Sequence, residues 1–163
     1  MKQARVAADR NCRLLGADDL EQVIAIDRAH SGHSRRRFFE KRFAAAKAQP
    51  DDFIHVGIVE DRSLRGFAIA RVLRGEFGHE QAIAVLDAIG VATESREQGV
   101  GQALLRELSA IMRRRGVRAL QSQADWTNQE LMRFFAATDF RLAPRLALQR
   151  TVAALPDEAS EDV

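Results

Sequence analysis

Arg96, Gly99 and Gly101 stand in the stretch VATESREQGVGQALLRELSA, residues 91–110, between an apolar run and an amphipathic helical pattern. Glycine at the mouth of a helix is costly unless the backbone must bend tightly or let something approach it. A glycine-rich turn from strand to helix presents unpaired N–H groups and the positive end of the helix dipole, which suits an anion and above all a phosphate. Two common phosphate loops fail on the residues that follow. A P-loop needs Lys and then Ser or Thr after its second glycine, and Gly101 is followed by Gln102 and Ala103. The dinucleotide fingerprint needs a third small residue where Leu104 stands, and the preceding strands read as a meander rather than the start of a βαβ unit.

A second candidate for chemistry is Asp87, a lone carboxylate in the apolar run before the loop. Period two places it on one strand face with Val85, Ile89 and Val91. A carboxylate in an apolar row needs a partner or a function. It reads either as a general base or as the anion of a buried ion pair with an arginine. His79 and Glu80, in the loop before this strand, are weaker candidates for a base and read better as solvent-facing loop residues.

The elements that position these groups follow from hydrophobic period and turn chemistry. A short strand is expected around residues 13–15, then a helix capped by Asp18 with Glu21 three residues on and an apolar stripe of Leu20, Val23, Ile24 and Ala25. Ser34 can cap a second helix carrying Phe38, Phe39 and Phe43. Strand patterns at 53–60 and 64–73 are joined by Asp61, Arg62 and Ser63, a hairpin signal, and residues 81–92 read as a central strand. Residues 99–115 form the clearest helix, with Leu104, Leu105, Leu108, Ile111 and Met112 in one stripe and Gly116 at its C-terminal end. A strand in VRALQSQADW follows, then a helix opened by Thr127 and Glu130 as a capping box and carrying Leu131, Phe134 and Phe135. The segment FRLAPRLALQRTV finishes in extended structure, with Pro144 marking an edge, a bulge or a break. The order β-α-α-β-β-β-α-β-α-β predicts an α/β (α+β) fold, a mixed sheet with helices on both faces.

Composition bounds the partners. At 163 residues the chain reads as one domain over 1–152, followed by a short acidic, frayed tail over 153–163. The net charge of +2, with both signs interspersed, gives no basic block to track a nucleic acid. No stretch reaches the roughly 18 apolar residues of a membrane span, and the first residues lack the apolar core of a secretory signal. The single Cys12 forms no internal disulfide and points to a reducing cytoplasm.

Arg96-x-x-Gly99-x-Gly101, after a strand ending in Val91 and leading into QALLREL, resembles the acetyl-CoA pyrophosphate loop of the GNAT superfamily of N-acetyltransferases. TNQELMRFFAATDF is similar to that family's Asn-initiated helix ending in a Gly-Phe pair, here Asp139-Phe140. The element order is also that fold's order, with a mixed, mostly antiparallel sheet. The resemblance implies acetyl-CoA as the acetyl donor, no metal, and a small-molecule or peptide amine as acceptor, with a homodimer possible. It assigns Arg96, Glu97, Gln98, Gly99, Val100, Gly101 and Gln102 to the pyrophosphate and Ile89, Gly90 and Val91 to the pantetheine arm. Asn128, Phe134 and Phe135 follow on the last helix, with Asn128 equally readable as a simple helix cap. Relatives often carry Glu or Asp at the place of Asp87.

The match breaks at the general acid. The family's tyrosine is replaced by Phe135, and the chain contains no tyrosine at all. Either water protonates the departing thiolate, or another residue such as Ser122 does, or the protein is a non-catalytic CoA-binding module. For the acceptor side, the resemblance brings in SGHSRRRFF, with His30, His33, Arg35 and Arg36 near the incoming amine. Guanidinium forks at a helix start suit an anionic acceptor, while pairing with Glu40 and Asp27 on a solvated face is the other reading.

Overall fold

The computed structural model describes residues 11–75, 78 and 80–152, so His79 and the acidic tail lie outside the described residues. The chain forms two compact units, one ending at Gln123 and one beginning at Ala124.

The first unit is built on five strands: β1 (Asn11–Leu14), β2 (Phe53–Glu60), β3 (Ser63–Leu73), β4 (Ile83–Val91) and β5 (Ala119–Gln121). They pair in chain order, antiparallel except for the parallel β4–β5 ladder. Between β1 and β2 run helices α1 (Leu20–Ser31) and α2 (Arg36–Ala48), and α3 (Val100–Arg114) makes the β4–β5 crossover. Val23, Ile26, Phe39, Phe67, Ile69 and Ala88 form the core between α1, α2 and one sheet face. Leu104 and Leu108 of α3, both fully buried, pack on the other face against β2 and β3. Each such side chain contributes roughly 1.5–3 kcal/mol by leaving water.

Several local expectations change. Asp18 is exposed and caps nothing; Asp19 is the buried carboxylate, accepting from the Gly16 N–H at 2.8 Å and from both Arg13 Nη atoms, and α1 starts after a 3₁₀ turn. Ile26 and Asp27 join Val23 and Ile24 in the buried stripe, while Ala25 faces solvent. Ser34 gives α2 no cap, because the residue at that place is Arg35. The β2–β3 hairpin closes in two residues, Asp61 and Arg62, both at positive φ (50° and 63°), so Ser63 already pairs with Glu60. That left-handed pair matches the twist of the flanking strands.

The second unit holds α4 (Gln129–Ala137). Asn128 is its cap, accepting from the Leu131 N–H at 3.1 Å, and Thr127 instead donates twice to the Asp125 carboxylate. Asp139 sits at φ 65°, the left-handed place where glycine is usual, and the Phe140 N–H then returns to the Phe135 carbonyl. The expected last strand is not formed: residues 141–152 carry no sheet pairing, with Leu146 and Leu148 exposed. Pro144 supplies no N–H to a ladder and restricts the residue before it.

One buried titratable group belongs to the first core. His55 on β2 is 5% exposed, wedged between the rings of Phe43 and Phe53, and its Nε2 has no hydrogen-bond partner. Burial pushes the imidazole down to about 4, opposed by Asp87 and assisted by Arg42. The folded protein therefore keeps His55 neutral where the unfolded chain, titrating near 6.5, takes up a proton. Stability is intact above that value and declines as pH falls from 6.5 toward 4, by about 3 kcal/mol in all. Urea midpoints measured across this window should drop for the native chain and flatten for His55→Leu; parallel profiles would place the acid sensitivity elsewhere.

Candidate active site

The site is built at the exit of β4. Up to Ala84 the strand pairs with β3 residue for residue, but Ala70 faces Leu86 while Ile69 faces Ala88, so Asp87 stands opposite nothing. This is a β-bulge, and it re-aims side chains. Arg71, opposite Val85, alternates with Ile69 and Phe67 on the face covered by α1 and α2. Gly66, opposite Val91, has its missing Cβ directed at Val100 and Leu104 of α3. Ile89 and Val91 therefore lie on the α3 face, whereas Asp87 and Ala88 both turn toward α2. The single face expected for Val85, Asp87, Ile89 and Val91 is split by the bulge. Period-two reasoning cannot see an inserted residue.

Asp87 is held by two cations. Arg71 Nε donates to Oδ2 at 2.7 Å, and Arg42 Nε of α2 stands 2.8 Å from the same oxygen. The Arg42 N–H is not aligned with that oxygen, leaving a buried donor without a hydrogen bond. Arg42 also stacks on Phe38 at 5.1 Å. The ion-pair reading of Asp87 is the one the geometry supports. Neither arginine is a sequence candidate; the available signal is Arg71, the second of two arginines in the apolar run LRGFAIARVL, and Arg42, between Phe39 and Phe43 of α2.

The parallel β4–β5 ladder covers only Ile83, Ala84 and Val85. Ser122, just past β5, donates its hydroxyl to the Leu86 carbonyl at 3.2 Å. Beyond that point no strand among the described residues pairs with the β5-side edge of residues 86–91. The backbone of Ile89, Gly90 and Val91 is left with a free edge there. Gly90 has a packing reason as well, since a Cβ would sit 2.6 Å from the Phe67 ring.

Arg65 fixes the exit of β4 twice, accepting the Ala92 N–H at 2.9 Å and donating to Glu94 at 3.3 Å. A 3₁₀ turn (Thr93–Ser95) leads into the loop, where Glu97 (φ 58°) and Gly99 (φ 74°) both adopt left-handed backbone. A non-glycine at positive φ stores strain, and such strain clusters at binding turns. A Cβ at Gly99 would meet nothing within 4 Å, so internal packing leaves the space above it open. No backbone carbonyl among the described residues accepts from the N–H groups of Val100, Gly101 or Gln102, the first turn of α3. The arrangement is an anion cradle at a helix N-terminus.

The remaining candidates are dispersed. His30 accepts a hydrogen bond from Arg96 through Nδ1 at 2.9 Å, which ties α1 to the loop. His33 turns back onto the Ser31 carbonyl. Arg35 is bound to the buried Asp27, and Arg36 makes a fork to Glu21 (2.7 and 2.8 Å) with Glu40 at 3.5 Å. Both arginines are thus satisfied between α1 and α2, as the solvated-face reading expects. In the second unit, Phe135 is buried against Phe140, with ring centroids 4.6 Å apart, and Phe134 is half-buried.

The chain is similar in fold to an aminoglycoside acetyltransferase from an uncultured soil metagenomic sample, solved with sisomicin (TM-score 0.70, 16% identity, covering 88% of this chain and 95% of that one). It is similar to a ribosomal-protein-alanine N-acetyltransferase from Brucella melitensis (0.69, 18%, 86% and 98%) and to an aminoglycoside 6′-N-acetyltransferase from Acinetobacter haemolyticus (0.73, 15%, 88% and 99%). At such identities the likeness shows the fold alone. No curated protein sequence matches. The sequence model of the acetyltransferase (GNAT) family matches residues 19–140, which include the β4 exit, the loop and α4, and the chain belongs to that family.

Proposed function

We propose that the protein is an N-acetyltransferase that moves an acetyl group from acetyl-CoA to a primary amine of a small molecule or peptide. The observation that carries this reading is continuous: the free backbone edge of β4 runs directly into a turn where the N–H groups of Val100, Gly101 and Gln102 have no backbone acceptor among the described residues. An extended amide-bearing arm fits the edge, and a pyrophosphate fits the turn. On this reading residues 98–102 meet the pyrophosphate, Arg96 adds charge, and Ile89, Gly90 and Val91 pair with the pantetheine amides. The N–H near Val91 faces the thioester oxygen, where a fixed donor stabilises developing charge. Asn128, Phe134 and Phe135 are assigned to the cofactor on the family resemblance.

Asp87 and Ser122 meet at the same stretch of β4, Asp87 in its bulge and Ser122, from just past β5, bonded to the carbonyl before it. We assign Asp87 a positioning role through Arg42 and Arg71, and Ser122 the place nearest a departing thiolate. A thiol with a pKa of about 8.5 leaves tolerably without an acid, which accommodates the missing tyrosine. The same reading places the enzyme in the cytoplasm, consistent with the single, half-buried Cys12. The second reading, a CoA-binding module without turnover, is favoured by Phe135 alone, which stands where the family carries its acid.

Gly101 is helical and Gly99 is not, so Gly101→Ile tests the cradle without the φ penalty of Gly99. Calorimetric titration should show acetyl-CoA binding by the native chain and its loss in Gly101→Ile, with an unchanged far-UV spectrum; retained binding would remove the loop from the site. Thiol release over an amine panel separates enzyme from module, since binding without turnover for every amine favours the module. Asp87→Asn should lower turnover at least tenfold while acetyl-CoA affinity stays within about twofold, a loss of roughly 1.4 kcal/mol of transition-state stabilisation. An unchanged rate would take Asp87 out of the mechanism.

A further inference from the structure

The charges on the α2 side of the sheet do not balance at the bulge. Elsewhere on that side they do, with Arg35 matched by Asp27 and Arg36 by Glu21. At the bulge one carboxylate, Asp87, faces two guanidinium groups, Arg42 and Arg71. The carboxylate side chain is 7% exposed, while Arg42 and Arg71 keep 26% and 35% of theirs accessible. Arg71 donates its Nε to Oδ2, Arg42 Nε stands 2.8 Å from the same oxygen without a hydrogen bond, and no Nη of either has a hydrogen-bond partner among the described residues. His55, beside them, is neutral and offers no compensating negative charge.

A partly buried surplus cation with unsatisfied donors is costly unless an anion completes it. The buried carboxylate tethers both guanidinium groups while part of each stays accessible, and planar forks held in this way recognise carboxylate or phosphate. We propose that Arg42 and Arg71 bind an oxyanion group of the acceptor, so that the substrate is an amine carrying a carboxylate or phosphate, as in an amino acid or a phosphorylated amine. This inference rests on the N-acetyltransferase reading above and names its substrate class. It differs from a clamp at Arg35 and Arg36, whose guanidinium groups already have carboxylate partners.

The test compares matched acceptors: amino acids with their amides, phosphoethanolamine with ethanolamine, and polycationic amines such as spermidine and aminoglycosides. The native enzyme should prefer the anionic member of a pair in KM, and which pair shows the preference separates carboxylate from phosphate. Arg42→Gln should raise KM for that acceptor by about tenfold more than for its neutral match, any change in kcat being shared by the two acceptors, as expected for one charge-assisted bond. Arg42→Lys should recover part of the loss. Arg42 is the variant of choice because Asp87 retains its aligned bond to Arg71. A second readout needs no turnover: saturation-transfer NMR of N-acetyl amino acids and N-acetylphosphoethanolamine against their neutral counterparts, with CoA present. An anion-specific signal that disappears in Arg42→Gln supports the site even if catalysis is absent. Turnover favouring neutral or polycationic amines, unaffected by Arg42→Gln, overturns the anion site and leaves the acetyltransferase standing. No turnover for any amine, with equal NMR signals for anionic and neutral probes, overturns both.

Discussion

The inserted residue in β4 is the constraint from which the site follows. Without it, Asp87 would share a face with Ile89 and Val91, on the α3 side and away from Arg42 of α2. With it, two consecutive residues face α2 and the strand then resumes alternation with the opposite parity. One strand thereby presents charge to the helices α1 and α2 and a backbone edge to whatever lies along its β5 side. The bulge costs a ladder pair and leaves a buried carboxylate to be neutralised. Arg71 from the neighbouring strand and Arg42 from α2 meet that cost together.

The helices α1 and α2 are joined less by hydrophobic area than their composition suggests. Phe39 and Val23 are fully buried in the shared core, yet the outer seam between them is made of carboxylate–guanidinium pairs. Exposed pairs such as Arg36–Glu21 contribute little, typically under about 1 kcal/mol. Arg35–Asp27 is different, because its carboxylate is buried and removing one partner would strand the other. Cations at the start of α2 oppose its dipole, and these carboxylates from α1 offset that. The seam therefore fixes the height of α1 relative to the sheet, and α1 in turn reaches the loop through His30 and Arg96.

Much of this architecture was legible in the sequence because it depends on period and on glycine. Nine of the expected elements formed, since each carried an uninterrupted apolar pattern bounded by turn residues. The loop was readable because its two glycines stand between the end of an apolar strand and the start of an amphipathic helix, where the chain turns through Gly99 at positive φ. Caps were read less well. Asp18, Ser34 and Thr127 have the right chemistry, but Asp19, Arg35 and Asn128 occupy the positions, since neighbouring residues competed for one helix start. The last strand failed because alternating leucines report a pattern compatible with a half-buried strand, not the existence of a partner strand. The arginines at the bulge were invisible for a related reason: which cation meets Asp87 is set by register between β3 and β4 and by the placement of α2, neither of which is local.

The short β4–β5 ladder has a bearing on how the protein survives in solution. Beyond Val85 a central strand has no partner strand on one side among the described residues, the condition under which edge strands recruit foreign chains. Any molecule that lies along that edge competes with such recruitment and also binds the folded state alone. By mass action, a ligand at a hundred times its dissociation constant would add about 2.7 kcal/mol to folding. The gap that admits a substrate is thus also a weakness in the sheet, and an occupied cleft protects the protein from its own exposed strand.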